Sequence, residues 1–187
     1  MTLQTLTFRT LPWHPNAVQH TFKAIAQQPW AMLLHSGFAE HPHNRFDILV
    51  AEPRATLVTH GAQTTICVEG VSSTHHSDPL QLLQQTLDSF GYQSATHPEL
   101  PFLGGALGLF GYDLGRHFEK VPEIAQADLN TPDMAIGIYD WALIADHKLK
   151  KLTLICWGEC SARLNWLEAQ IAPVVKPFRL TSAWRSS

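Results

Sequence analysis

Residues 46–69 read FDILVAEPRATLVTHGAQTTICVE, and the punctuation of this stretch decides the fold class. Three runs, FDILVA at 46–51, ATLVTH at 55–60 and QTTICVE at 63–69, are short, rich in apolar or β-branched residues, and bounded by Pro53, Gly61 and Gly70. Such side chains suit the half-buried surface of a strand, while Pro and Gly interrupt it. Glu52-Pro53-Arg54 and His60-Gly61-Ala62 are tight enough for hairpin connections, so the three runs predict an antiparallel meander.

Upstream, AMLLHS at 31–36 reads as another strand, set off by Gly37 and Pro42. Downstream, the polar residues 72–77 predict a surface loop, and a helix follows. Asp78 can cap that helix, Pro79 fits its first turn, Leu80, Leu83 and Leu87 recur at helical spacing, and Gly91 lies just past the end. GGALGLFGY at 104–112 has strand length but four glycines, so the backbone bends there or something packs directly on it. Residues 134–145 and 151–157 predict a hairpin around 147–150, and Ser161 to Ile171 a second helix with Leu164, Leu167 and Ile171 inward. Strands with a few isolated helices, and no regular alternation of the two, argue for an α+β domain on antiparallel sheets.

At 187 residues, 45% of them hydrophobic, the chain can bury a real core. Its 13 Lys plus Arg against 16 Asp plus Glu give a formal net charge of -3 with no basic stripe, which argues against nucleic acid as a partner. No apolar run approaches the ~20 residues that span a bilayer, and the first ten residues lack the order of a secretory signal, so a cytoplasmic address without membrane contact is expected. Cys67, Cys156 and Cys160 are too few for a disulfide framework and are read as buried free thiols.

Constellations that could carry chemistry are weak. Gly104, Gly105, Gly108, Gly111 and Gly115 match neither the dinucleotide fingerprint nor the Lys-Ser/Thr phosphate loop, which leaves close backbone packing as the better reading. His41-Pro42-His43, His75-His76 and the Cys156/Cys160 spacing do not supply four convergent zinc ligands. Glu119 and Glu123 lie at helical spacing, where a solvated face is the simpler account. No Gly-x-Ser-x-Gly elbow presents a nucleophile. No catalytic or metal-binding residue is expected.

Three stretches closely resemble aminodeoxychorismate synthase component I, also called para-aminobenzoate synthase component I: PWAMLLHSGFAEHPHNRFDILVAEP at 29–53, LPFLGGALGLFGYDLGRHFE at 100–119 and PDMAIGIYDWALIADH at 132–147. A glycine-rich strand ending in Gly-Tyr-Asp, followed by Pro-Asp-Met and an Ile-Tyr-Asp strand, is shared more loosely with anthranilate synthase component I. The resemblance implies an orthogonal β-sandwich with a few outer helices, formed by residues 1–187 as an anthranilate synthase component I amino-terminal-type domain. The carboxyl-terminal chorismate-binding catalytic domain would be absent, and the family continues into it from a place like Trp184 to Ser187.

The implied activity belongs to folate biosynthesis: component I converts chorismate and ammonia to 4-amino-4-deoxychorismate, and a glutamine amidotransferase, component II, supplies the ammonia. Mg2+ is expected for the full-length enzyme and no cofactor for this chain, which should be inactive alone. The family holds an L-tryptophan molecule in this region, and the matching positions are Ser36 and the run His43, Asn44, Arg45 and Phe46. A free amino acid needs an acceptor for its ammonium, donors for its carboxylate and an apolar slot for its ring. Ser36 suits the first, Arg45 or main-chain amides the second, and Phe46 with Leu34 the third. Two alternatives stay open: the regulatory region of anthranilate synthase component I, whose Leu-Leu-Glu-Ser reads Leu33-Leu34-His35-Ser36 here, and a stand-alone tryptophan-sensing module.

Overall fold

The computed structural model describes residues 4–37, 44–92, 96–119 and 130–175. Its first half comprises β1 (Leu6–Leu11), α1 (Ala17–Ile25), β2 (Met32–Leu34), β3 (Phe46–Val50), β4 (Ala55–His60), β5 (Gln63–Val68) and β6 (Val71–His75). There follow α2 (Pro79–Ser89), β7 (Gly105–Phe110), a 3-10 turn at Tyr112–His117, β8 (Met134–Tyr139), β9 (Trp141–Asp146), β10 (Lys151–Trp157) and α3 (Ser161–Val175). The strands make two five-stranded sheets, ordered β1-β10-β9-β3-β2 and β6-β5-β4-β8-β7, in which every pairing is antiparallel. The expected α+β class holds.

Side-chain alternation builds the layers, because successive residues of a strand face opposite ways. Along β9, Trp141, Leu143 and Ala145 join Leu49, Leu152 and Leu154 beneath α1 and α3. Between them, Ala142 and Ile144 face the other sheet and meet Val50, Ile155 and Tyr139. The second sheet turns Ala55, Leu57, Ile136 and Ile138 outward onto Leu82 and Leu83 of α2. The order is therefore helices, sheet, sheet, helix.

Each helix forms for a local reason. In α1 the buried Ala17, Val18, Thr21 and Ile25 make one face. Asp78 caps α2 as expected, its Oδ1 accepting the Leu80 amide at 2.8 Å, and Pro79 opens the first turn. In α3, Leu167 and Ile171 sit one turn apart in the core, as predicted.

The predicted meander is corrected. β4 and β5 form the hairpin, but β3 belongs to the other sheet, where it pairs with β2 and β9. Glu52 takes a left-handed conformation (φ 51°) and Arg54 N donates to Ile138 O at 2.7 Å, so Glu52-Pro53-Arg54 carries the chain across the sandwich instead of reversing it. The apolar run 134–145 likewise divides at Asp140 into β8 and β9 of different sheets. Strands that switch sheets through bends make the corners of orthogonal sandwiches. Aromatic donors fasten both corners: Trp141 Nε1 donates to Ala51 O at 2.8 Å and the Tyr139 hydroxyl to Trp30 O at 2.9 Å.

Residues 72–77 are corrected too, since β6 pairs with β5 along its length while its residues stay largely exposed. The glycine-rich stretch packs closely as expected, because a Cβ on Gly108 would collide with the Ala135 carbonyl oxygen. Of the three cysteines only Cys67 is free; Cys156 and Cys160 form a disulfide. The sequence separation of four hid this, because their pairing depends on the chain turning between β10 and α3. Among the described residues no helix is long and apolar enough to cross a membrane.

Candidate functional site

Of the residues expected to hold an amino acid, Arg45 and Phe46 lie where β3 begins and Ser36 just past the end of β2, beside the end of β9. The antiparallel register sets Leu34 opposite Ile48 and Phe46 opposite Asp146, which brings the ends of three strands together. Phe46 and Ile48 point between the sheets. Leu34, two residues before Ser36, remains 51% exposed, so the apolar wall of this corner is open on one side.

Asp47 organises the polar half of the corner. Its side chain is fully buried, an arrangement tolerated only when a charge is fully partnered. Oδ1 accepts the Ser36 amide at 3.0 Å and the Ser36 hydroxyl at 3.2 Å, and lies 2.9 Å from His35 Nδ1. Oδ2 lies 2.8 Å from His147 Nε2 and accepts from Gln19 Nε2 at 3.3 Å. Burial pushes the carboxyl up, but the Ser36 amide and then the His147 and His35 contacts outweigh it and hold Asp47 below the usual carboxylate range.

Arg45 is engaged elsewhere than expected. Its Nε and Nη2 donate to Asp146, the shortest contact being 2.6 Å, and the guanidinium lies 4.5 Å from the centre of the Phe46 ring. Asp146 also accepts the Lys148 and Leu149 amides at 3.0 Å, which closes the β9–β10 turn. Burial of Asp146 acts upward on its pKa, yet the Arg45 hydrogen bonds and the turn amides bring it below the usual range. The hydrogen bond to Asp146 likewise raises Arg45 above its ordinary value. The cation expected to receive a ligand carboxylate is thus a bidentate partner of the protein itself.

Of the five expected positions, Ser36 bonds Asp47 and Arg45 lies over Phe46 at the start of β3, Asn44 directly precedes Arg45, and His43 lies outside the described residues. Sequence reasoning missed Asp47, His35 and His147 as a group. Its one available signal was an acid at 47 inside the apolar run FDILV. A separate cleft of about 310 Å3 opens at the opposite end of β3, lined by Glu52, Asp140, Trp141, Cys156, Glu159 and Arg163 among others. There Arg163 pairs with Glu52 at 2.8 Å and covers Trp141 at 4.4 Å.

Among the described residues no three His, Cys, Asp or Glu side chains converge to hold a metal ion.

Residues 32–180 match the family model described as chorismate binding enzyme, and the chain belongs to that family. It is 60% identical over 178 residues to aminodeoxychorismate synthase component 1 of Klebsiella aerogenes, covering 95% of this chain and 40% of the relative. Anthranilate synthase component 1 of Acetivibrio thermocellus is 29% identical over 136 residues, covering 72% of this chain and 27% of the relative. Among solved structures, anthranilate synthase component I from Streptococcus pneumoniae TIGR4 superposes with a TM-score of 0.49 at 23% identity, covering 89% of this chain and 37% of that one. This chain thus spans about 40% of the length of the Klebsiella relative.

Proposed function

We propose that this chain is the amino-terminal part of an aminodeoxychorismate synthase component I, acting in the cytoplasm as a non-catalytic scaffold for the conversion of chorismate and ammonia to 4-amino-4-deoxychorismate. The observation that carries this reading is 60% identity across 95% of the chain to a protein of that name, set against 29% for an anthranilate synthase component. His35, where the anthranilate synthase pocket has an acid, points the same way. Chorismate and magnesium chemistry would reside in the part of the relatives that this chain does not span, and ammonia would come from a glutamine amidotransferase, component II.

Purified chain incubated with chorismate, magnesium and ammonia should yield no aminodeoxychorismate. Turnover would overturn the scaffold assignment.

Ser36, His43, Asn44, Arg45 and Phe46 are proposed to receive L-tryptophan. Ser36 Oγ donates to Asp47, which leaves its lone pairs for an ammonium group. Phe46 and the exposed Leu34 offer the indole a wall. With Arg45 held by Asp146, main-chain amides are the better donors for the carboxylate. Calorimetry with tryptophan tests this: micromolar binding that disappears in Ser36→Ala supports the pocket and favours a sensing module, whereas no heat leaves the scaffold role standing alone.

A further inference from the structure

The two sulfurs at the junction of β10 and α3 have no part in the function above. Cys156 and Cys160 are joined across four residues, with Cα atoms 6.0 Å apart, and are only 5% and 8% exposed. So short a loop removes little freedom from the unfolded chain. Leu167 and Ile171 hold α3 in the core from further along the helix. The bond is therefore a weak staple, and its surroundings suit exchange better. Cys160 O accepts the Leu164 amide at 2.8 Å, which puts Cys160 at the amino terminus of α3, where the helix dipole favours a thiolate. Glu159 places a carboxylate on the Ser161 amide at 2.7 Å and opposes that effect. A cavity of about 160 Å3 that Cys160 lines also contains the cationic Arg9, which counters Glu159 and suits a small thiol carrying carboxylates.

We propose that Cys156 and Cys160 are a reversible thiol–disulfide pair and that Cys160 is the site at which small carboxylated thiols such as glutathione form a mixed disulfide. In the oxidising direction the Cys160 thiolate attacks one sulfur of a low-molecular-weight disulfide, forming a new S–S bond and expelling one thiolate. Cys156 then loses its proton to solvent, attacks Cys160 Sγ and expels the second thiolate. Two protein thiols are oxidised and one external disulfide is reduced, and the reverse sequence consumes two small thiols. Cys156, on the strand, is the resolving partner. Reduction would release the first turn of α3 from β10 while Leu167 and Ile171 keep the rest of the helix docked.

The test uses the native chain in glutathione buffers from oxidised to reduced, quenched with iodoacetamide and read by mass spectrometry of the peptide containing both cysteines. The disulfide should give way to the doubly alkylated form without denaturant and return when oxidised glutathione is restored. A pair that stays oxidised in the folded chain, or that does not re-form, overturns the proposal. With Cys67→Ser as background, Cys156→Ser should accumulate a glutathione adduct on Cys160 about tenfold faster than Cys160→Ser accumulates one on Cys156. Equal rates, or the opposite order, would refute the assignment of Cys160. Should a variant fail to fold, acid-trapping the wild-type chain during reoxidation decides the same point: an adduct on Cys160 supports it, and one on Cys156 refutes it.

Discussion

Replacing Asp47 by Asn keeps the volume of the side chain and removes its charge from a site with no solvent to compensate. The Asn carbonyl can take the place of Oδ1 and retain both Ser36 donors. Its NH2 group then faces Gln19 Nε2 and His147 Nε2, where Oδ2 had accepted. Gln19 can turn its amide to present the otherwise unpartnered Oε1, and His147 can change tautomer. What remains lost is the charge assistance to several hydrogen bonds, about 2 kcal/mol. For a chain of this size that corresponds to a melting temperature roughly 4–8 °C lower.

The pH dependence distinguishes this cause from generic damage. Asp47 titrates lower in the folded chain than in the unfolded one. Its contribution is therefore complete above the unfolded carboxyl value of about 3.9 and fades as pH falls through the lower folded value. Scanning calorimetry of both proteins should show a gap above about pH 4 that narrows as the pH falls below it. A variant melting within a degree of wild type at pH 7, or a gap unchanged down to pH 3, would refute the assigned role of the carboxylate.

Gly108→Ala should lower stability by roughly 1–3 kcal/mol in urea unfolding, because the new methyl meets backbone and not a movable side chain. A variant at wild-type stability would mean that β7 and β8 can separate freely. Trp141→Phe orphans the Ala51 carbonyl at the β3 corner and should cost about 1–3 kcal/mol, read from the denaturation midpoint; no change would show that this hydrogen bond does not fasten the corner. Leu34, Leu109, Phe110 and Tyr112 are 45–92% exposed, and open apolar surface promotes association. Sedimentation at rising concentration should show self-association, and a clean monomer throughout would count against it.

How much the sequence disclosed depended on whether a residue's burial followed its chemistry. α2 and α3 were legible because Asp78, Pro79 and the leucine spacing act locally. The division at Asp140 was not, since both halves of 134–145 are apolar and a single acid between them does not say which sheet each half joins. β6 was hidden because its exposed side chains carry no hydrophobic alternation and only its backbone pairs with β5. α1 was hidden for a related reason, as its buried face uses Ala17 and Thr21 beside Val18 and Ile25. At the site, resemblance pointed to Ser36, Arg45 and Phe46, yet the carboxylates that hold the first two, Asp47 and Asp146, become visible only when β2, β3 and β9 are placed side by side.

The passage from β8 to β9 through the single residue Asp140 limits how this protein can respond to a guest. Both flanking rings are tethered, Tyr139 to Trp30 and Trp141 to Ala51. A joint one residue long, clamped on either side, cannot swing, so the layers do not work as jaws. Any molecule entering near Phe46 must be met by rotamer changes and by the segments around it, against walls whose separation is already set.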